Sequence, residues 1–362
     1  MTSPIPMVLD TDIGTDVDDA LALALALASP EIELLGVTVV DGDVGTRARM
    51  ASRLLGMAGR ADVPVLVGEA NPIGAGRMPT WFGHEGEGLL DEPWDGPEAP
   101  ILDQRAADWL VERSLEVPYH LVAVGPFTNV ARAVGIDPTL PARLIHLTVM
   151  GGMVHAEHYD AQWKQFFDET GLPPNHMDHN TASDVEAALI MARAGFDMTW
   201  ITAELTFCTT LDRAAIKAFR ASGSTFGDRL ARLLEIWSTR WFHHIPNFPV
   251  TARPFPVDAV AALHDPLALA SVFAGAWVTI RPHDLRFAAA GDLFEIAEVV
   301  PGAPDRLTVE ARHNVSVSVD RARFAEFFVE RVATYLSSIG EPGSPPARVN
   351  RSITSLNRED PS

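Results

Sequence analysis

Ile5-Pro-Met-Val-Leu9 runs straight into Asp10-Thr-Asp12-Ile-Gly14-Thr-Asp16-Val-Asp18-Asp19, and an Ala/Leu stretch, Ala20–Ala28, follows at once. A short apolar run that empties into acidic residues and then into a helix former reads as strand, turn, helix. Five carboxylates packed at one strand end repel each other. Desolvation would push their pKa values up unless a cation compensates them. A hard cation, which prefers carboxylate and carbonyl oxygens, is the simplest compensation. Asp10 and Asp12, two residues apart, leave the same face of a strand. Gly14 gives the chain freedom to turn, and Asp18 and Asp19 fall where a helix N-terminus favours negative charge. Any one of these aspartates could be a helix cap or a solvated turn residue, but all five together mark a candidate metal and active site. In open α/β sheets ligands gather outside the carboxyl ends of the strands, where this cluster falls.

Ala20–Ala28 alternates Ala and Leu but holds no β-branched residue, which favours a helix buried on most sides over a strand. Ile32–Val40 reads as a strand, Thr46–Gly59 as a helix and Val63–Val67 as a strand. The alternation resumes with a helix at Ala106–Leu115, strands at His120–Val124 and Leu144–Met150, a helix at Ser183–Ala194 and a strand at Met198–Thr202. Strands apolar on both faces that alternate with helices predict an α/β fold with a mostly parallel, Rossmann-like open sheet flanked by helices. The stretch 211–244 looks mainly helical, and Asp265–Val272 adds a helix. Arg286–Ala289, Glu295–Val300 and Leu307–Ala311 alternate as a small antiparallel C-terminal portion, closed by a helix at Asp320–Leu336. No repeat or linker is evident, so residues 1–339 are expected to form a single domain. The Pro-, Ser- and Arg-rich 340–362 stretch is expected to be a disordered tail. Two long excursions, Asn71–Pro100 and His155–His176, are expected over the strand ends, where specificity resides.

The 362 residues are 47% hydrophobic and 21% charged, enough for a large core. A net charge of −20 argues against nucleic acid and anionic membrane as partners and for a small-molecule ligand. Cys208 is the single cysteine, so no intrachain disulfide forms. No apolar run is long enough to span a bilayer, and Met1–Met7 lacks the pattern of a signal peptide. A cytoplasmic protein is the simplest expectation.

Three further constellations carry chemistry. Val122-Ala-Val-Gly-Pro-Phe-Thr128-Asn129 is a strand broken at Gly125-Pro126, whose turn offers carbonyls, such as that of Thr128, to a hard cation; an ordinary strand-to-helix turn with Thr128 as cap is the plainer reading. His264-Asp265-Pro266 opens a helix and sets an imidazole of near-neutral pKa beside a carboxylate, which suits proton donation. His176-Met-Asp178-His179-Asn180 through Asp184 gathers short polar groups that suit the vicinal hydroxyls of a sugar. The His155/His158 and His176/His179 pairs could instead hold zinc, although no Cys or Glu framework supports it. Trp81, Trp237, Trp241 and Phe242 are candidates to stack on a flat ligand, though aromatics at helical spacing usually belong to a core. The Asp-x-Asp start also invites comparison with phosphatases that use a first Asp as nucleophile, but Gly14 stands where Thr or Val is expected.

Taken together, the aspartate run Asp10 to Ala20, Gly125-Pro-Phe-Thr128-Asn129, Met150-Gly-Gly152, Asp178-His-Asn180 with Asp184, and His264-Asp-Pro266 resemble, in order, the motifs of the inosine–uridine-preferring nucleoside hydrolases. The resemblance spans about Ile5 to Ala270. It implies hydrolysis of the N-glycosidic bond of a nucleoside to free base and ribose, with a Ca²⁺ held by Asp12, Asp19, the Thr128 carbonyl and Asp265. It implies that Asp12 takes the proton of the Ca²⁺-bound attacking water and that His264 assists departure of the base. Asp18, Asp178 and Asn180 would hold the ribose, and Asp43 and His84 stand where the family has further substrate-binding residues. The aspartate run is two residues longer than the common form, so either Asp16 or Asp18 could meet the sugar. Asn175 is a candidate for a further ribose contact. The resemblance also implies a homodimer or homotetramer. Two other readings compete with it: a Ca²⁺-dependent nucleoside- or ribose-binding protein without catalysis, and a metal-dependent phosphohydrolase.

Overall fold

The computed structural model describes residues 3–74, 81–242, 254–273, 277–290, 293–299 and 309–339. The first half runs β1 (Ile5–Thr11), α1 (Asp18–Ala28), β2 (Ile32–Val39), α2 (Val44–Met57), β3 (Val65–Val67), β4 (Ile101–Leu102), α3 (Ala106–Glu116), β5 (His120–Ala123) and α4 (Thr128–Ile136). The middle follows as β6 (His146–Met150), α5 (Ala161–Thr170), α6 (His179–Ser183), α7 (Val185–Arg193), β7 (Met198–Ile201) and α8 (Ala203–Thr206). The remainder comprises β8 (Thr210–Asp212), α9 (Arg213–Ala221), α10 (Thr225–Trp237), β9 (Ala259–Ala262), α11 (His264–Ala270), β10 (Val278–Ala290), β11 (Leu293–Glu298), β12 (Val309–Val319) and α12 (Arg321–Ser338).

The main sheet has the order β11-β10-β12-β7-β6-β5-β1-β2-β3-β4. Every neighbouring pair from β12 to β4 is parallel, while β10 pairs antiparallel with both β12 and β11. The chain moves outward from β1 through β4 and returns on the other side of β1 as β5. The switch point, and with it the crevice for a ligand, therefore lies between β1 and β5. Along β1, Met7 and Leu9 face one buried layer and Val8 the other, so both faces of the strand are covered.

α1 explains its own odd composition. Leu21, Leu23 and Leu25 are all buried although they project to different sides, because α1 packs between the sheet, α11 and α12. The alternating alanines let those neighbours approach closely. The Gly125-Pro126 break leads into helix α4, in line with a strand-to-helix turn, although Phe127 rather than Thr128 occupies the cap position. Two elements differ from the sequence reading. The His155–His176 excursion contains helix α5. Leu211, expected to be helical, belongs to β8, which pairs with β9 in a separate two-stranded sheet. The C-terminal antiparallel strands extend the main sheet, since β12 pairs in parallel with β7 through Asn314 and Val315. The expected tail, 340–362, lies outside the described residues. Among the described residues no helix is long and apolar enough to cross a membrane.

Because α1 is buried on opposite sides, Leu21→Ala and Leu23→Ala should each cost about 2–5 kcal/mol of unfolding free energy in denaturant titrations. A loss confined to one of the two would show that α1 presents only a single face to the core.

Candidate active site

β1 ends inside the acidic run, and its two aspartates have different duties. Asp10 points inward and is buried; its Oδ1 accepts hydrogen bonds from Thr38 Oγ1 and from Asn129 Nδ2, the latter at 2.7 Å. Burial raises its pKa to about 7. Asn129 also donates to the Val39 carbonyl at 3.1 Å and accepts from the Glu69 amide at 2.9 Å, so Asp10 and Asn129 together lock β1, β2 and the start of α4. Asp12 lies beyond this brace, at the cavity. Gly125 fits against it only because it lacks a side chain: a Cβ there would lie 2.8 Å from the Asp12 amide and 2.9 Å from Asp12 Oδ1. Gly14, at φ +131°, provides the turn that brings the rest of the acidic run back over the same crevice.

Asp12, Asp16, Asp18 and Asp19 line one end of a cavity of about 220 Å³, together with Asp178, His179, Asn180 and Asp265. One carboxylate oxygen each from Asp18, Asp19 and Asp265 lies within 4.8 Å of the others, and all three residues are buried. Their internal partners are sparse: Thr11 Oγ1 donates to Asp19, and the Asp265 amide donates to Asp18 Oδ2 at 3.3 Å. Burial first, and then repulsion from Asp12, Asp16 and one another, lifts all three carboxyls well above the usual carboxylate range. Burial likewise raises Asp16 to about 8. An all-oxygen nest of carboxylates this starved of positive charge fits a hard divalent cation.

Asp12 sits beside this triad and repels both Asp19 and Asp265. Its Oδ2 is 3.7 Å from His179 Nε2, and Asp41 Oδ2 is 3.9 Å from the same nitrogen. Asp41 adopts a left-handed backbone, φ +70°, at the end of β2. The buried Arg47 on α2 fixes that turn: its Nε donates to the Asp41 carbonyl at 2.7 Å, it pairs with the Asp41 carboxylate at 3.5 Å, and its Nη1 donates to the Asp12 carbonyl. Asp41 and Arg47 were not singled out from the sequence as site residues, because their roles depend on how β2 and α2 turn against β1; His179, read there only within a polar cluster and a zinc alternative, stands beside Asp12 instead.

The sugar-clamp candidates Asp178 and Asn180 do line the cavity. Asp178 Oδ2 accepts from the Gly152 amide at 2.7 Å and from Thr181 Oγ1. Asn180 Nδ2 donates to the Val124 carbonyl at 2.6 Å and the Met150 carbonyl at 3.0 Å, joining the ends of β5 and β6. Other expected residues lie elsewhere. Asp43 caps α2 from an exposed position, accepting from the Thr46 amide at 3.0 Å, two residues past the one that reaches the site. Thr128 heads α4 outside the cavity wall, its hydroxyl donating to Asp184 Oδ2 at 2.7 Å; Val124, at the end of β5, lines the cavity instead. His84 stands behind that wall, with Nε2 3.0 Å from the Thr15 carbonyl and its ring against Phe82 and Trp237. Asn175 donates to the Phe294 carbonyl at 3.3 Å and is not among the cavity residues.

The cavity also has an aromatic side, formed by Phe82, Phe207, Trp237, Phe242 and Phe255. Phe242 and Phe255 stack at 4.1 Å, and Phe207 meets the edge of His264 at 4.5 Å. Of the sequence candidates for stacking, Trp237 and Phe242 take part. Trp81 is exposed, lies over the Arg47 guanidinium and is not a cavity residue, and the Trp241 side chain lies outside the described residues. His264 bridges the two ends. An atom of its ring lies within 4.8 Å of carboxylate oxygens of Asp16 and Asp18, and its Nδ1 is 2.7 Å from Thr206 Oγ1. Burial lowers its pKa to about 3, so the imidazole is neutral rather than the near-neutral titrating group expected from the sequence.

The fold and site define an open α/β protein whose switch-point crevice carries buried carboxylates and aromatic rings, suited to a ligand that is polar on one side and flat on the other. The sequence profile of the inosine-uridine preferring nucleoside hydrolases matches residues 7–326, and the chain belongs to that family. It is 27% identical over 342 residues to the pyrimidine-specific ribonucleoside hydrolase RihA of Salmonella arizonae, across 91% of this chain and 99% of the relative. Among solved structures it resembles a plant nucleoside hydrolase, PpNRh1, with TM-score 0.74 and 26% identity over 91% of this chain and 99% of that one. It also resembles the purine-preferring ribonucleoside hydrolase from Gardnerella vaginalis, with TM-score 0.73 and 25% identity over 92% and 99%. The chain is thus an N-glycosidase, as the motifs implied.

Raised carboxyl pKa values favour the cation-free fold at low pH, and that contribution is lost as pH rises through them. Added Ca²⁺ should therefore stabilise the protein more at pH 8 than at pH 5; at a concentration one hundred times its dissociation constant at pH 8 the gain is about 2.7 kcal/mol. Thermal melts with Ca²⁺ or chelator at the two pH values check this; equal shifts at both would disconnect the ion from the buried aspartates.

Proposed function

We propose that this enzyme hydrolyses the N-glycosidic bond of a ribonucleoside to free base and ribose, with the sugar at the acidic end of the cavity and the base at the aromatic end. The observation that carries the reading is the meeting of Asp12, Asp178, Asn180 and His264 in one cavity with an aromatic wall. Asp19 and Asp265 hold the cation, with Asp12, Asp18 and the Val124 carbonyl beside them; Asp18 belongs with the ion, which leaves Asp16 the freer of the two to meet the sugar. Ca²⁺ is the ion such a carboxylate and carbonyl set suits, and when bound it supplies charge that polarises the attacking water and anchors the sugar diol.

Asp12 accepts the proton of the water as the water oxygen bonds to C1′, and His179 orients its carboxylate. Asp178 and Asn180 hold the ribose so that C1′ faces that oxygen. The C1′–N bond breaks through an oxocarbenium-like state, whose positive charge the surrounding carboxylates stabilise. The bonding pair leaves with the base. His264 enters as a neutral imidazole: when the Thr206 hydroxyl donates to Nδ1, the ring N–H sits on Nε2 and donates a hydrogen bond that stabilises the departing base. The proton Asp12 took from the water is passed through solvent to the released base.

Two alternatives fit less well. A phosphohydrolase needs cationic side chains for its substrate, yet no Lys or Arg is found among the described cavity residues, and Arg47 is committed to Asp12 and Asp41. A binding protein without catalysis would have no use for a base and a proton donor on opposite sides of one ligand.

Asp12→Asn should lower kcat for ribose release by at least about 100-fold while the Ca²⁺-induced melting shift persists; near-normal turnover would remove Asp12 as the base. His264→Ala should slow natural nucleosides far more than a nitrophenyl riboside, whose leaving group needs no assistance, and equal losses on both would strip His264 of its part in leaving-group departure. Free ribose assayed over purine and pyrimidine nucleosides, with and without chelator, tests the reaction itself. Phosphate release from nucleotides in its place would favour the phosphohydrolase.

A further inference from the structure

The turn that leaves β6 brings two of its histidines to the hairpin of β10 and β11, far from either in sequence. One ligand atom each from His155, His283 and Glu298 lies within 4.8 Å of the others. His283 Nδ1 contacts Glu298 Oε1 at 2.5 Å, and His155 Nε2 is 3.9 Å from the same oxygen. The His158 ring lies 5.0 Å from that of His155, and the rings of His155 and His283 are 5.7 Å apart. Two nitrogens of this group, His283 Nε2 and His158 Nδ1, are buried and have no hydrogen-bond partner. An imidazole nitrogen shut away from water without a partner loses hydration and gains nothing in return. Glu298 can accept from one or two of the imidazoles but cannot satisfy all their nitrogens.

We propose that His155, His283 and Glu298, with His158 beside them and water completing the shell, bind a zinc-type divalent ion at a second site separate from the acidic cavity. Two or three imidazoles with one carboxylate form a nitrogen-rich donor set, which favours Zn²⁺ or Co²⁺ over Ca²⁺. The acidic cavity offers only oxygens from its aspartates and has the opposite preference. The ion fastens the segment after Gly152 to the C-terminal hairpin. The amides of Val154 and His155 are already held by the buried Glu204, and that of Gly152 by Asp178, so the clip fixes the last link between the cavity wall and the sheet edge.

The test uses the tag-free full-length protein, stripped with chelator and then kept in excess Ca²⁺ so that the acidic site is filled. Zn²⁺ titrated by calorimetry should reveal one tight Ca²⁺-resistant site, and Co²⁺ should give the intense visible bands of four-coordination. His155→Ala/His283→Ala should weaken that site by at least about 100-fold, whereas Asp265→Asn should keep it. If the double variant does not fold, Glu298→Gln, which keeps a hydrogen bond to His283, serves in its place and should weaken binding in the same way. Absence of a Ca²⁺-resistant site in the wild type, or unchanged Zn²⁺ binding in the variant that folds, would leave only a hydrogen-bonded His–Glu cluster and overturn the proposal.

Discussion

Like charges crowded in a place that excludes water are the constraint around which this molecule is arranged. Asp18, Asp19 and Asp265 share a buried nest with Asp12 and Asp16 beside it, and each would be more stable as a free carboxylate in water. Much of the surrounding framework acts to keep them together. Asp10 and Asn129 tie β1 to its neighbours below the nest. The buried Arg47 secures the main chain of Asp12 and Asp41 without neutralising the triad, and the N-termini of α1 and α11 turn their dipoles toward it. α1 itself is held on all sides by apolar packing, so the repulsion cannot be relieved by letting the helix drift. The tension is left for a cation to resolve, which makes ion affinity and fold stability parts of one balance.

The same arrangement sorts the chemistry across the cavity. In the proposed reaction, positive charge that develops on the sugar meets carboxylates, while electron density arriving on the base meets aromatic faces and a neutral imidazole. Burial keeps His264 uncharged although carboxylates stand within reach, and Thr206 rather than an acid is its Nδ1 partner. An imidazole that stays neutral in the resting site forms no ion pair with Asp16 or Asp18, which under the proposed function leaves those groups for the ion and the sugar.

The acidic end was legible in the sequence because it is local. Strand, glycine turn and helix cap follow one another within fifteen residues, and the position of β1 in a parallel sheet places them at the crevice. Elsewhere the reading erred where a turn decides which residue faces inward. After β2 the left-handed conformation of Asp41 brings it into the site and leaves Asp43 to cap α2, a shift of two residues that composition cannot reveal. After β5 the opening of α4 carries Thr128 out of the cavity wall and leaves Val124 at the strand end. The pairing of His155 with His283 joins residues more than a hundred positions apart, and no spacing motif announces it.

The two ends of the cavity are under unequal constraint, and this bears on why kinship alone does not settle the base. The relatives named above include a pyrimidine-specific and a purine-preferring enzyme at similar identity to this chain. The acidic end is built from strand termini and helix starts that the sheet order dictates, so it can change little without losing the nest. Phe82, Phe207, Trp237, Phe242 and Phe255 come from loops, from the turn beyond α8 and from the end of α10, with no strand among them. Aromatic faces accept any flat ring of suitable size, and such segments can be repacked without disturbing the core. Under the proposed function, base preference therefore belongs to the part of the molecule that the fold constrains least, and the sugar chemistry to the part it constrains most.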